Sequence, residues 1–273
     1  MQPRIWDARV IRVFLSGIGM RGPGLAGWVA SQPFLRGELP YYPSDIGPLL
    51  PNILHERERR RTSMTVRLAL AVAKEALDSS GVSANDLPAV FGSANGDGDT
   101  AVSLLKSVNE RGGAVSPTQF HNSVHNASVG YWSIGTQTQA ACTSIAAHDA
   151  TFAATILKAA AQVQVERRSV LLAVFDRPYP APFDAVRSMI APFGVAFVLS
   201  PAAMANTLAE LTMDWAAQQA RAHSLTDPGL ARLADGNPAA RALPLLQAVA
   251  NRATVELDLA LPAGGCLSIA LRC

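Results

Sequence analysis

The sequence predicts an α/β domain, with helices covering a sheet of short buried strands. Three observations carry that prediction. Apolar runs bounded by glycine, proline or polar clusters recur at 89–92, 169–175 and 194–199 and read as strands. Between them apolar residues recur at helical spacing, as in Val66, Leu70, Ala73 and Leu77. Near the C-terminus the period becomes two: Val255, Leu257 and Leu259 alternate with Glu256 and Asp258, and Leu267, Ile269 and Leu271 with smaller residues.

In chain order, Arg9 to Gly19 reads as a first strand ending in glycines, and Pro23 and Gly24 mark a turn into a short helix through Trp28. Pro33, Pro40, Pro43, Pro48 and Pro51 then predict an irregular surface excursion. A long helix with a charged start is expected from about His55 to Ser80, stopped by Gly81. Ala89 to Gly92 is a short strand, and the glycine-rich loop Ser93 to Thr100 caps a helix ending near Glu110. Cys142 falls between a strand ending near Ala141 and a helix whose apolar face includes Ile145, Phe152, Ile156 and Val163. Strands at 169–175 and 194–199 follow, and a hairpin turning at Pro262 to Gly265 closes the chain.

At 273 residues, 49% apolar and 16% charged, the chain predicts one globular domain with an extensive core or a large apolar interface. Its 23 basic and 21 acidic residues, without aromatic-basic interleaving, argue against a nucleic-acid surface. The three cysteines, Cys142, Cys266 and Cys273, have the spacing of neither a disulfide framework nor a zinc site, which fits a reducing cytoplasm. No apolar run reaches the roughly 18 residues of a membrane span, so a soluble, cytoplasmic protein is expected.

Several side chains carry chemistry in principle. Cys142 at a helix N-terminus would have its thiolate stabilised by unpaired N–H groups, which could also form an oxyanion hole. The alternative is a small buried cysteine with Thr143 or Ser144 as caps. His121 and His125, four apart, would share a helix face as a metal pair, or else satisfy backbone groups in a loop beside Asn122 and Asn126. His148 and Asp149 face the cysteine or form a helix-surface pair. Asp97 and Asp99 invite a calcium reading, although turn and cap chemistry suffices. The cluster Glu56 to Arg61 docks an acidic carrier protein or forms a solvated helix start.

Taken together, several segments resemble the ketosynthase branch of the thiolase-like superfamily, and within it the short chain-length-factor-like proteins of bacterial aryl polyene biosynthesis. They are Arg59 to Thr62, Ser93 to Thr100, Pro117 to Ala127, Gly130 to Ile134 and His148 to Ala154. The resemblance covers much of residues 5–200, leaving 201–273 as a shortened, divergent part. It implies a thiolase-like fold, with residues 1–273 forming one N-terminal ketosynthase half: helices packed around a mixed sheet, with a C-terminal β-hairpin. Ala141 to Ser144 is similar to the nucleophile segment of full ketosynthases, which makes Cys142 the acyl-accepting candidate and His121, His125 and His148 its candidate bases.

Full condensing enzymes add a half carrying two histidines and a lysine; downstream of residue 150 the only histidine of this chain is His223. The resemblance therefore implies a subunit that does not condense alone. It would pair with a full-length ketosynthase as a heterodimer, shape the acyl channel and meet an acyl carrier protein, with no cofactor and no metal. Chain-length factors generally replace the nucleophile, and Cys142 departs from that rule. Family interfaces point to Asn126, Gly130, Tyr131, Trp132, Ile134, Thr136 and Thr138 as partner contacts. Two further readings stand beside this one: a stand-alone cysteine acyltransferase or thioesterase, and a non-catalytic module that binds acyl carrier protein.

Overall fold

The computed structural model of the protein describes residues 10–50, 52–110, 113–262 and 264–273. Strand β1 (Ile11–Arg21) leads through Gly27 into helix α1 (Trp28–Leu35), and an extended segment reaches the short α2 (Glu56–Arg59) and the long α3 (Met64–Ser80). Then come β2 (Ala89–Gly92), α4 (Gly98–Asn109), α5 (Pro117–Asn122), α6 (Ala127–Thr136), β3 (Cys142–Ile145), α7 (Thr151–Glu166), β4 (Val170–Asp176) and β5 (Phe193–Ser200). The chain continues with β6 (Ala209–Ala216), α8 (Pro228–Gly236), α9 (Leu243–Ala250) and the hairpin of β7 (Val255–Ala260) and β8 (Cys266–Arg272).

Among the described residues the strands form one mixed sheet in the order β3-β2-β4-β5-β1-β6-β8-β7. β3, β2 and β4 run parallel, and every later neighbour pair is antiparallel. Period-two alternation sorts the side chains between two cores. Val170, Leu172 and Val174 of β4 and Phe193, Val195, Phe197 and Leu199 of β5 face a core shared with α1, α7, α8 and α9. Leu171, Ala173, Phe175, Ala196 and Val198 face a second core with α3 and α6. In β1 a register shift between Leu15 and Gly17 keeps Val13 and Leu15, then Ile18 and Met20, on the first face.

That shift turns Gly17 and Gly19 toward α3. A Cβ at Gly19 would stand 2.1 Å from the Val72 carbonyl oxygen, and one at Gly17 would stand 2.2 Å from that of Ala76. The helix thus lies directly on the strand backbone, where its apolar stripe of Val66, Ala69, Val72, Ala73 and Ala76 is fully covered.

Four expected boundaries change. The single helix from His55 is two, because Ser63 accepts the Val66 N–H and starts α3 afresh. Trp28 opens the first helix instead of ending it. Ile145 lies on β3, not on the following helix. Residues 201–273 do more than form a hairpin: β6 joins β1 to β8, while α8 and α9 cover the first core. Arg9, at the expected start of β1, lies outside the described residues.

Candidate functional site

The parallel strands β2, β3 and β4 end side by side, with Gly92 opposite both Ile145 and Val174. In open α/β sheets the loops beyond such carboxyl ends are where ligands bind. Gly92 lets α7 approach, since a Cβ there would lie 2.2 Å from Thr155 Oγ1. Three loops then converge: Ser93 to Asp97 after β2, Ala146 to Ala150 after β3, and the segment from Arg177 to Met189 after β4.

The strand-to-helix turn after β3 displays His148. Its φ of 51° is left-handed, a strained conformation for a residue with a side chain, and the imidazole is exposed. Arg187 lies against His148 Nε2, and the ring's Nδ1 is 3.5 Å from Asp149 Oδ2. Arg187 also donates to Asp149 Oδ1 at 2.7 Å and to Asn95 Oδ1 at 2.9 Å, tying the three loops together. Burial alone would raise the Asp149 carboxyl, but the hydrogen bond and charge of Arg187, with Arg241 and His148, hold it below the usual range.

Beneath this cluster lies Asp176, at the end of β4 and fully buried. Its Oδ1 accepts from Ser93 Oγ at 2.9 Å, Ala94 N at 2.8 Å and Asn95 N at 3.2 Å, while Oδ2 has no partner among the described residues. Desolvation outweighs those bonds and pushes the carboxyl up to about 7. Sequence reasoning missed both Asp176 and Arg187. A charged residue closing an apolar strand is the signal that could have found Asp176. Nothing in the sequence singles out Arg187, whose partners come from separate loops.

The other candidates are dispersed. Cys142 is the first residue of β3, paired with Ala89 of β2, and does not stand at a helix N-terminus. Desolvation, only partly offset by a backbone hydrogen bond with Ala89, raises its thiol instead of lowering it. His125 lies beyond α5, with Nε2 at 2.9 Å from the Ser93 carbonyl oxygen, whereas His121 packs edge-on against Tyr131 at 5.8 Å between centroids. They do not share a helix face, and no group of metal-binding side chains occurs among the described residues. Asp97 caps α4 through Thr100 N, and Asp99 pairs with Arg177. No helix among the described residues is long and apolar enough to cross a membrane.

Of the expected partner contacts, Asn126 and Ile134 are exposed, and Gly130 and Thr136 partly so. Three are corrected by burial. Trp132 packs on Phe91 inside the second core, Tyr131 donates from its hydroxyl to buried Asn122, and Thr138 donates to the Asn85 carbonyl. The helical period of α6 turns its two aromatic side chains inward, away from any partner.

Residues 40–258 match the family model described as beta-ketoacyl synthase, N-terminal domain. None of the curated proteins matches the chain in sequence. Among solved structures, a ketosynthase in complex with its chain length factor from Xenorhabdus doucetiae superposes with a TM-score of 0.70 at 18% identity, covering 96% of this chain and 100% of that one. The ishigamide ketosynthase/chain length factor gives 0.69 at 15% identity, covering 96% and 99%. A type II acyl-carrier protein in complex with its hexaketide-bound ketosynthase gives 0.70 at 11% identity, covering 96% and 99%. The likeness establishes the thiolase-like fold of this chain.

Proposed function

Because the chain belongs to the beta-ketoacyl synthase family through its N-terminal domain, we propose that it is a non-condensing, chain-length-factor-like subunit. It pairs with a full-length ketosynthase and bounds that enzyme's acyl channel during aryl polyene-type extension on an acyl carrier protein. The observation that carries this reading is the residue at the strand-to-helix turn. Decarboxylative condensation needs an acylated nucleophile beside groups that stabilise the enolate. The strained turn after β3 presents the His148 imidazole, bound to Arg187 and Asp149, while Cys142 stands at the other end of the strand. This placement supports a reading in which Cys142 lies outside the nucleophile position.

The sheet supports a place for the partner. β3 is an edge strand whose outer side pairs with no strand among the described residues, and an edge of this kind accepts a strand from another chain. Beside it α6 exposes Ile134 at 51% and leaves open space over Gly130. Asn126, Gly130, Ile134 and Thr136 form the contact set, with Tyr131, Trp132 and Thr138 supporting it from inside.

Affinity purification from the native host, followed by native mass measurement, tests the reading. A one-to-one complex with a ketosynthase-sized chain is expected, and Gly130→Trp should abolish it without unfolding the subunit, because nothing lies within 4 Å of an added Cβ. Recovery of the wild type only as a monomer or homodimer, together with a covalent acyl adduct on Cys142, would replace this reading with that of a stand-alone acyltransferase.

A further inference from the structure

Next to the His148 turn, the first turn of α7, the end of α8, the start of α9 and strand β7 line a half-open cavity of about 240 Å³. Its walls mix polar and apolar surface, the apolar part including Phe152, Leu245, Leu257 and Ile269. Since an apolar cavity of about 150 Å³ holds benzene, this one holds on the order of eight to ten non-hydrogen atoms.

The polar lining decides what kind of molecule fits. Asp258 has a fully covered side chain, but both oxygens are engaged: Oδ2 accepts from Arg221 Nε at 2.7 Å and Arg221 N at 3.1 Å, and Oδ1 accepts from Ser268 Oγ at 2.7 Å. Asp149 Oδ1 is taken by Arg187. The remaining lining carboxylate, Asp235, is exposed at the rim, where water screens it. Donors are available instead. The Arg241 guanidinium lines the cavity, and its carboxylate neighbour, Asp149 Oδ2, stands 3.8 Å from its terminal nitrogen, beyond hydrogen-bond reach. His223 Nε2 accepts the Asp258 N–H at 2.8 Å, so its Nδ1 carries a proton and is a second donor.

A cationic donor without a hydrogen-bonded acceptor is best satisfied by an anionic oxygen. We infer that this cavity binds a short aliphatic carboxylate of roughly six to eight carbons, a length set by the volume, with its head group on Arg241 and His223 and its tail against Phe152 and Leu257. The lining residues all belong to this chain.

Titration of the full-length protein with sodium octanoate, 1-octanol and sodium acetate, followed by amide NMR shifts, tests the inference. Octanoate should saturate and perturb residues around Arg241 and Leu257, with acetate and 1-octanol each weaker by about tenfold or more. Arg241→Gln should weaken octanoate by about tenfold, and Ala234→Leu should reduce its binding by narrowing the cavity. Three results overturn the site: octanoate that does not saturate, octanol that binds as tightly as octanoate, or unchanged octanoate affinity in Arg241→Gln. The octanoate and octanol comparison uses the wild type alone, so poor folding of a variant does not obscure it.

Discussion

Asp176 and Asp258 show how burial and partners give one residue type opposite behaviour. Asp176 is raised from 3.8 to about 7 by desolvation, so the folded state favours its protonated form. Its contribution to stability is full below about pH 4 and is lost as pH rises toward 7, by up to about 4 kcal/mol. Asp176→Asn should flatten the decline in stability between about pH 4 and 7, measured by urea unfolding across that range. A variant that keeps the wild-type slope would assign the decline elsewhere. Asp258 has the reverse sign, because hydrogen bonds from Arg221 and then Ser268 outweigh its desolvation and hold it well below the carboxylate range. Its contribution is present above the ordinary pKa and lost as pH falls through the folded value, so Asp258→Asn should lower stability near neutrality and blunt the acid-induced loss. Cys142, its thiol raised, should alkylate at pH 7 no faster than an unstructured cysteine peptide, as mass spectrometry of iodoacetamide-treated protein would report.

At the scale of elements, the contact of α3 with β1 depends on two positions without side chains. An added Cβ at Gly19 meets the backbone of Val72 and Ala76, which yields only if the helix moves. Gly19→Ala should therefore cost about 1–3 kcal/mol, read as a lower urea midpoint, whereas Gly37→Ala, with nothing within 4 Å, is limited to the strain of its positive φ. Helix α3 itself was legible from the spacing of its apolar residues. Its starting point was less so, because the charged run before it continues the helical composition and only the Ser63 cap, a local hydrogen bond, interrupts it. The same limit applied at β3. The mostly small residues from Ala140 to Ala147 fit a strand or a helix start equally, and pairing with β2 was needed to fix Cys142 in the strand.

For the whole molecule, the sheet ends among the described residues at the parallel strand β3 on one side and at β7 of the closing hairpin on the other. The proposed heterodimer uses the β3 edge, while β7 is tied to the Arg221 loop through Asp258. By itself the sequence determined the α/β class, the buried strands, the closing hairpin and the family resemblance, because these rest on local periodicity and on contiguous motifs. Tertiary structure alone decided that His148, not Cys142, occupies the strand-to-helix turn, that Tyr131 and Trp132 belong to the core, and that Asp176 and Arg187 join distant loops. Burial and convergence depend on which segments pack together, and contacts such as Arg187 with Asn95, nearly a hundred positions apart, have no periodic trace along the chain.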